Sequence, residues 1–128
     1  MGNSGEWRVR AATLSQKVWP SPSLEQVLDL FAKLDGEAGE LEVSGEPGGR
    51  VLVAGGGPIH FLLFCQGDRF GAHNLVDPAA PQDGWLTLIT AGVETPVEVR
   101  STVPADLAQR AIRYFYDHGD IDPQLRWE

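Results

Sequence analysis

Between residues 24 and 34 apolar side chains return every third or fourth position, and from residue 40 they return every second. This change of period is what most constrains the fold. A repeat near 3.6 lays one apolar stripe along a helix, whereas a repeat of two lays one apolar face along a strand. In the first segment Leu24, Val27, Leu28, Phe31 and Leu34 share a face, Ser23 and Gln26 have the spacing of a capping box, and Gly36 is the expected stop. In the second, Leu41 and Val43 alternate with Glu40, Glu42 and Ser44, and the turn Glu46-Pro-Gly-Gly49 leads into Arg50-Val-Leu-Val53. That pattern predicts a hairpin.

The other segments extend the same scheme. Residues 7–19 alternate loosely and predict an opening strand closed by Pro20-Ser-Pro22. Ile59-His-Phe-Leu-Leu-Phe-Cys65, the most apolar run, is too short for an independent helix and predicts a central strand, with Arg69–Val76 antiparallel to it and interrupted at Gly71. Residues 77–84 read as loop, and Trp85–Thr90 and Glu94–Arg100 as further strands, with Pro96 placing the last at an edge or a strand start. A second helix follows Pro104, with Leu107, Ala108, Ala111, Ile112 and Phe115 on one face and Gly119 at its end, and Leu125-Arg-Trp127 closes the chain as a strand or strap. Strands in succession with two inserted helices predict an α+β fold. We expect a single antiparallel sheet of about six to eight short strands with two helices packed on one face, as one domain over residues 1–128.

Charge narrows the function. The formal net charge is −8, and residues 21–49 hold Glu25, Asp29, Asp35, Glu37, Glu40, Glu42 and Glu46 against Lys33 alone. Nucleic acid and anionic lipid are held largely by Lys and Arg releasing counterions, so an acidic chain is a poor fit to either. A basic protein is the partner that such a field draws in, although net charge also serves solubility. A lone cysteine, Cys65, excludes an internal disulfide and points to a reducing compartment. The stretch Met1–Arg8 has neither the basic start nor the apolar run of a leader, and no segment reaches the ~18 apolar residues of a membrane span. These features predict a cytoplasmic protein. Arg supplies eight of the ten basic residues, a skew expected of a GC-rich bacterial genome.

The motifs that carry chemistry do not assemble. Val51-Leu-Val-Ala-Gly-Gly-Gly-Pro58 has the glycines of a phosphate-binding loop, but such a loop opens a helix, and the residues after Pro58 have strand character. His60, Cys65, His73 and Asp77 lack the paired spacing of metal ligands, and His60 and Cys65 would face opposite sides of a regular strand. Glu40/Glu42 and Asp120/Asp122 have nothing that forces one carboxylate into a desolvated site, and no serine lies in a Gly-x-Ser-x-Gly setting. The expectation is therefore no enzyme, no metal and no small-molecule cofactor. The alternative from another class is a small-ligand-binding or enzymatic α+β domain using His60, His73 or Asp77. Of the four tryptophans, Trp7, Trp19 and Trp127 are expected in the core, while Trp85, following a Pro/Gly/Asp loop, is the one expected at the surface.

The stretch Val103–Trp127 carries an Ala-rich helical face, the aromatic pair Tyr114-Phe115, Gly119, Pro123, and a closing Leu125-Arg-Trp127. This end resembles the bacterial immunity proteins called Imm family one. Asp117-His118 and Ile121-Asp122 depart from the family pattern, and the first hundred residues add a compatible order of elements without a specific motif. The resemblance implies an immunity protein that neutralises a polymorphic toxin made in the same cell for competition between bacteria, often a nucleic-acid deaminase. It implies a cognate toxin domain as protein partner, expected in a 1:1 complex. A toxin working on nucleic acid commonly has a basic substrate groove, which an acidic surface complements. The expected contact set is acidic around an aromatic anchor: Asp77, Asp83, Trp85, Glu94 and Glu98.

Overall fold

The computed structural model describes residues 6–90 and 92–128. Residues 1–5, the start of the stretch read for a leader, and Ala91 lie outside the described residues. The chain runs β1 (Arg8–Leu14), β2 (Lys17–Pro20), α1 (Leu24–Phe31), β3 (Leu41–Glu46), β4 (Arg50–Gly56), β5 (Phe61–Gly67), β6 (Gly71–Val76), β7 (Trp85–Thr90), β8 (Val93–Glu98), α2 (Ala105–His118) and β9 (Arg126–Trp127). Seven strands form one antiparallel sheet in the order β2-β1-β3-β4-β5-β6-β9, and β7 and β8 form a two-stranded sheet of their own. The fold is α+β, as the two periods require.

Both helices cover the same face of the large sheet. Val27, Leu30 and Phe31 of α1 and Ala108, Ala111, Ile112 and Phe115 of α2 join Val9, Ala12, Leu14, Leu41, Val43, Leu52, Ala54, Phe61, Leu63, Cys65 and Leu75 in one core. Burying a side chain the size of Phe31 or Leu52 contributes about 1.5–3 kcal/mol each, so this shared face is the main source of stability. The other sheet face carries Val51, Val53, Leu62 and Phe64 at half-buried positions beside exposed Glu42.

Local chemistry accounts for the element ends, with three corrections to the sequence reading. Residues 7–19 form a hairpin where one strand was expected: β1 turns into β2 at Ser15 and Gln16, both at positive φ (50° and 69°). Neither residue is a Gly or Asn, so the turn left no trace in the sequence. The Ser23 capping box forms as expected, with Gln26 N donating to Ser23 Oγ (3.1 Å) and Ser23 N donating to Gln26 Oε1 (2.9 Å). Its helix stops at Phe31, short of Gly36, because the chain tightens through Leu34 N to Phe31 O (3.0 Å) and drops Leu34 into the core. Strand β5 begins at Phe61, leaving Ile59 and His60 exposed in the preceding loop.

The C-terminal segment behaves as its residues require. Gly119 caps α2 in the left-handed region (φ 64°), returning its N–H to Phe115 O at 2.8 Å. Trp127 folds back, donating Nε1 to Asp122 O (2.9 Å), and pairs with Leu75 at the sheet edge. Trp7 packs edge-on against Phe115 and donates to Tyr116 O (2.9 Å). Beneath it lies buried Arg50, whose Nε donates to Asp68 Oδ1 (3.0 Å) and Nη1 to Gly119 O (2.9 Å), with the guanidinium 5.3 Å from the indole centroid.

Candidate functional site

The β7–β8 hairpin forms a sheet of its own, tied at its tip to the chain after α1 and closed at its base by a bond between its own strands. At the tip Gly92 N donates to Gly36 O (2.9 Å), and at the base Val99 N donates to Gly84 O (3.0 Å). The base bond sets the phase of the ladder. Gly84 and Val99 are a hydrogen-bonded pair, so Trp85 opposite Glu98 and Thr87 opposite Pro96 are non-hydrogen-bonded pairs. Pro96 is therefore tolerated in mid-strand, because the position lacking an N–H faces away from β7, and it blunts the β8 edge against further pairing.

Alternation sorts the side chains. Leu86, Leu88, Thr95 and Val97 lie on one face, and buried Leu88 packs over Gly56, where a Cβ would come within 2.8 Å of Leu88 Cδ2. The opposite face carries Trp85, Thr87, Ile89, Glu94, Pro96 and Glu98. Trp85 is 68% exposed, against a residue type that is usually largely buried, so the ring is presented to solvent on a fixed support.

Of the expected contact residues, Trp85, Glu94 and Glu98 thus share one hairpin face. Asp83 joins Trp85 and Glu98 around a concavity of about 370 Å³, together with Gln82 and Arg100. Glu98 is ion-paired with Arg100 on the surface, and this pair holds the Arg100 proton more firmly than usual, the hydrogen bond contributing most. Arg100 was not among the expected residues, and the sequence held no signal for it beyond its two-residue spacing from Glu98. Asp77 lies apart from that concavity. Its Oδ1 accepts from Ala79 N (2.9 Å), and its side chain lines a neighbouring, mostly apolar hollow of about 230 Å³ with Ile59, His60, Val99, Val103 and Pro104.

The residues of the alternative reading divide. His60 and Asp77 share that hollow, but His73 is on β6 with Nε2 2.6 Å from Phe70 O. The register places His73 directly opposite Cys65. Cys65 nonetheless faces the core, and burial pushes its thiol pKa well up, so the sulfur stays protonated and is a weak nucleophile. Among the described residues, no three of His, Cys, Asp and Glu are grouped to hold a metal ion. The carboxylates of Glu37, Glu40 and Glu42, from the acidic run read in the sequence, line a further concavity with Thr13.

Residues 16–128 match the family model described as Immunity protein Imm1. The chain belongs to the Imm1 family of immunity proteins. The match spans both helices and every strand except β1, so it extends well beyond the C-terminal motif in which the resemblance was first legible. No curated protein matches the chain, and no solved structure does. Membership identifies the chain as an immunity protein that binds a cognate toxin. No helix among the described residues is long and apolar enough to cross a membrane.

Proposed function

We propose that this immunity protein neutralises its toxin as a stoichiometric 1:1 inhibitor in the bacterial cytoplasm, without catalysing a reaction. In this reading the toxin is of the nucleic-acid-targeting, deaminase type, and the outer hairpin face enters its basic substrate groove. The observation that carries it is Trp85, held out on a pinned hairpin among Asp83, Glu94 and Glu98. Hot spots combine a rigid aromatic anchor with a polar rim, and acidic groups around the anchor complement a cationic groove while steering the encounter. Asp77 extends this surface beyond the hairpin base.

The test is co-expression with the toxin domain encoded beside the gene, and titration of the purified pair. Wild-type protein is expected to restore growth and bind with a one-to-one endpoint. Trp85→Ala is expected to weaken binding by at least about 2 kcal/mol, roughly thirtyfold in Kd. The charge reversal Glu94→Lys/Glu98→Lys is expected to slow association most at low salt. Unchanged affinity in both variants would remove the hairpin from the interface, and a toxin with no activity on DNA or RNA would remove the substrate assignment.

A further inference from the structure

The walls of the hollow beside the hairpin base are fixed by hydrogen bonds. Val103 exchanges both backbone hydrogen bonds with Phe61, each at 2.9 Å. The single 3-10 turn Val99–Ser101 is closed by Thr102 N and Thr102 Oγ1, which both donate to Val99 O (3.0 and 2.9 Å). Across from it, Ala80 N donates to Asp77 O (3.0 Å) and Ala79 N to Asp77 Oδ1 (2.9 Å). These bonds use up much of the wall's polar backbone, so what the hollow offers a guest is chiefly apolar contact with Ile59, Ala80, Val99 and Pro104, beside His60 at the rim.

Two further observations say what kind of guest fits. Among the described residues, Ile59, Trp85 and Val93 are three of the four large apolar side chains that stand exposed (70%, 68% and 62%): Ile59 rims this hollow, Trp85 lines the adjoining concavity, and Val93 is at the hairpin tip. The two hollows adjoin, since Pro81 and Val99 line one while the next residues, Gln82 and Arg100, line the other. Among the residues lining the hollow the one carboxylate is that of Asp77, whose Oδ2 has no hydrogen-bond partner among the described residues.

We propose that this hollow is a socket for an aliphatic or aromatic side chain of the partner protein carried next to a cationic group, such as a Leu, Met or Phe beside an Arg or Lys. Its volume of about 230 Å³ accommodates one such side chain. Trp85 then serves as a knob and the socket as its counterpart, so that one partner surface is engaged by both. The identity of the partner as a toxin rests on the function proposed above, but the chemistry of the socket does not, and it can be tested without the toxin.

The probes are phenethylammonium and its anionic isostere 3-phenylpropanoate, titrated against the 15N-labelled full-length protein. Phenethylammonium is expected to shift the amides of Ala80, Val99 and Val103 saturably, and 3-phenylpropanoate to bind more weakly by up to about fivefold, the upper end of what an exposed charge pair supplies. Asp77→Asn keeps an oxygen to accept from Ala79 N and removes only the charge, so it is expected to close that gap. Ala80→Phe is expected to fill the socket and abolish the shifts while core amides stay in place. No saturable shift, equal binding of the two probes to wild-type protein, or an unchanged preference in Asp77→Asn would overturn the socket. Toxin neutralisation in a protein that fails these tests sinks the socket alone. Probe binding in a protein that neutralises no toxin sinks the immunity mechanism alone.

Discussion

Gly119 offers a sharp test of how the end of α2 is held, because a second glycine provides an internal control. Both Gly119 (φ 64°) and Gly49 (φ 58°) occupy the left-handed region, where an L-residue costs about 1–2 kcal/mol. A Cβ on Gly49 meets nothing within 4 Å, so Gly49→Ala should lose only that backbone contribution. A Cβ on Gly119 would lie 2.6 Å from Trp7 Cγ and closer still to the fused ring, so the indole must move. Moving it forfeits the hydrogen bond to Tyr116 O, the edge-on contact with Phe115 and the Arg50 contact. At about 1 kcal/mol for the hydrogen bond, about 0.5–1.5 for the aromatic pair and about 0.5–1 for the cation–π contact, the added loss is roughly 2–3.5 kcal/mol. Urea unfolding followed by circular dichroism should therefore show Gly119→Ala destabilised by about 3–5.5 kcal/mol and Gly49→Ala by about 1–2. Equal shifts in the two midpoints would refute the reasoning, since the difference between them is the Trp7 contribution alone.

Three further outcomes follow from the same packing. Arg50→Met removes a buried guanidinium that serves Asp68, Gly119 O and the Trp7 face, and is expected to cost about 2–4 kcal/mol by denaturant titration, while Arg10→Met, whose partner Glu46 is exposed, should cost less than about 0.5. Because burial raises the Cys65 pKa, folding favours the protonated thiol; stability is intact below the thiol's unfolded pKa and should fall above about pH 9, by up to ~1.4 kcal/mol per pH unit, a slope that Cys65→Ala is expected to remove. Ser23→Ala breaks the capping box and should cost about 1 kcal/mol, with loss of helical signal confined to α1, as hydrogen exchange at Gln26 and Val27 would report.

What could be read from the chain alone was whatever depends on near neighbours. The α+β class, both helix starts, the Gly119 stop and the exposure of Trp85 follow from periodicity, caps and a polar loop, and the immunity family was legible from one helix and its closing Leu125-Arg-Trp127. Tertiary contacts decided the rest. The Ser15-Gln16 turn adopts positive φ without a Gly or Asn, held in place because β2 pairs with β1. Helix α1 ends before Gly36, where Lys33 N and Leu34 N turn back to Leu30 O and Phe31 O and Leu34 is buried. Glu94 and Glu98 share a face by alternation along β8, but Trp85 joins them only because the register sets it opposite Glu98, whereas Asp77 falls beside a different hollow through the course of its loop. Charge and spacing belong to the sequence, but which carboxylates surround one aromatic ring is a matter of register and packing, and those are settled between segments far apart in the chain.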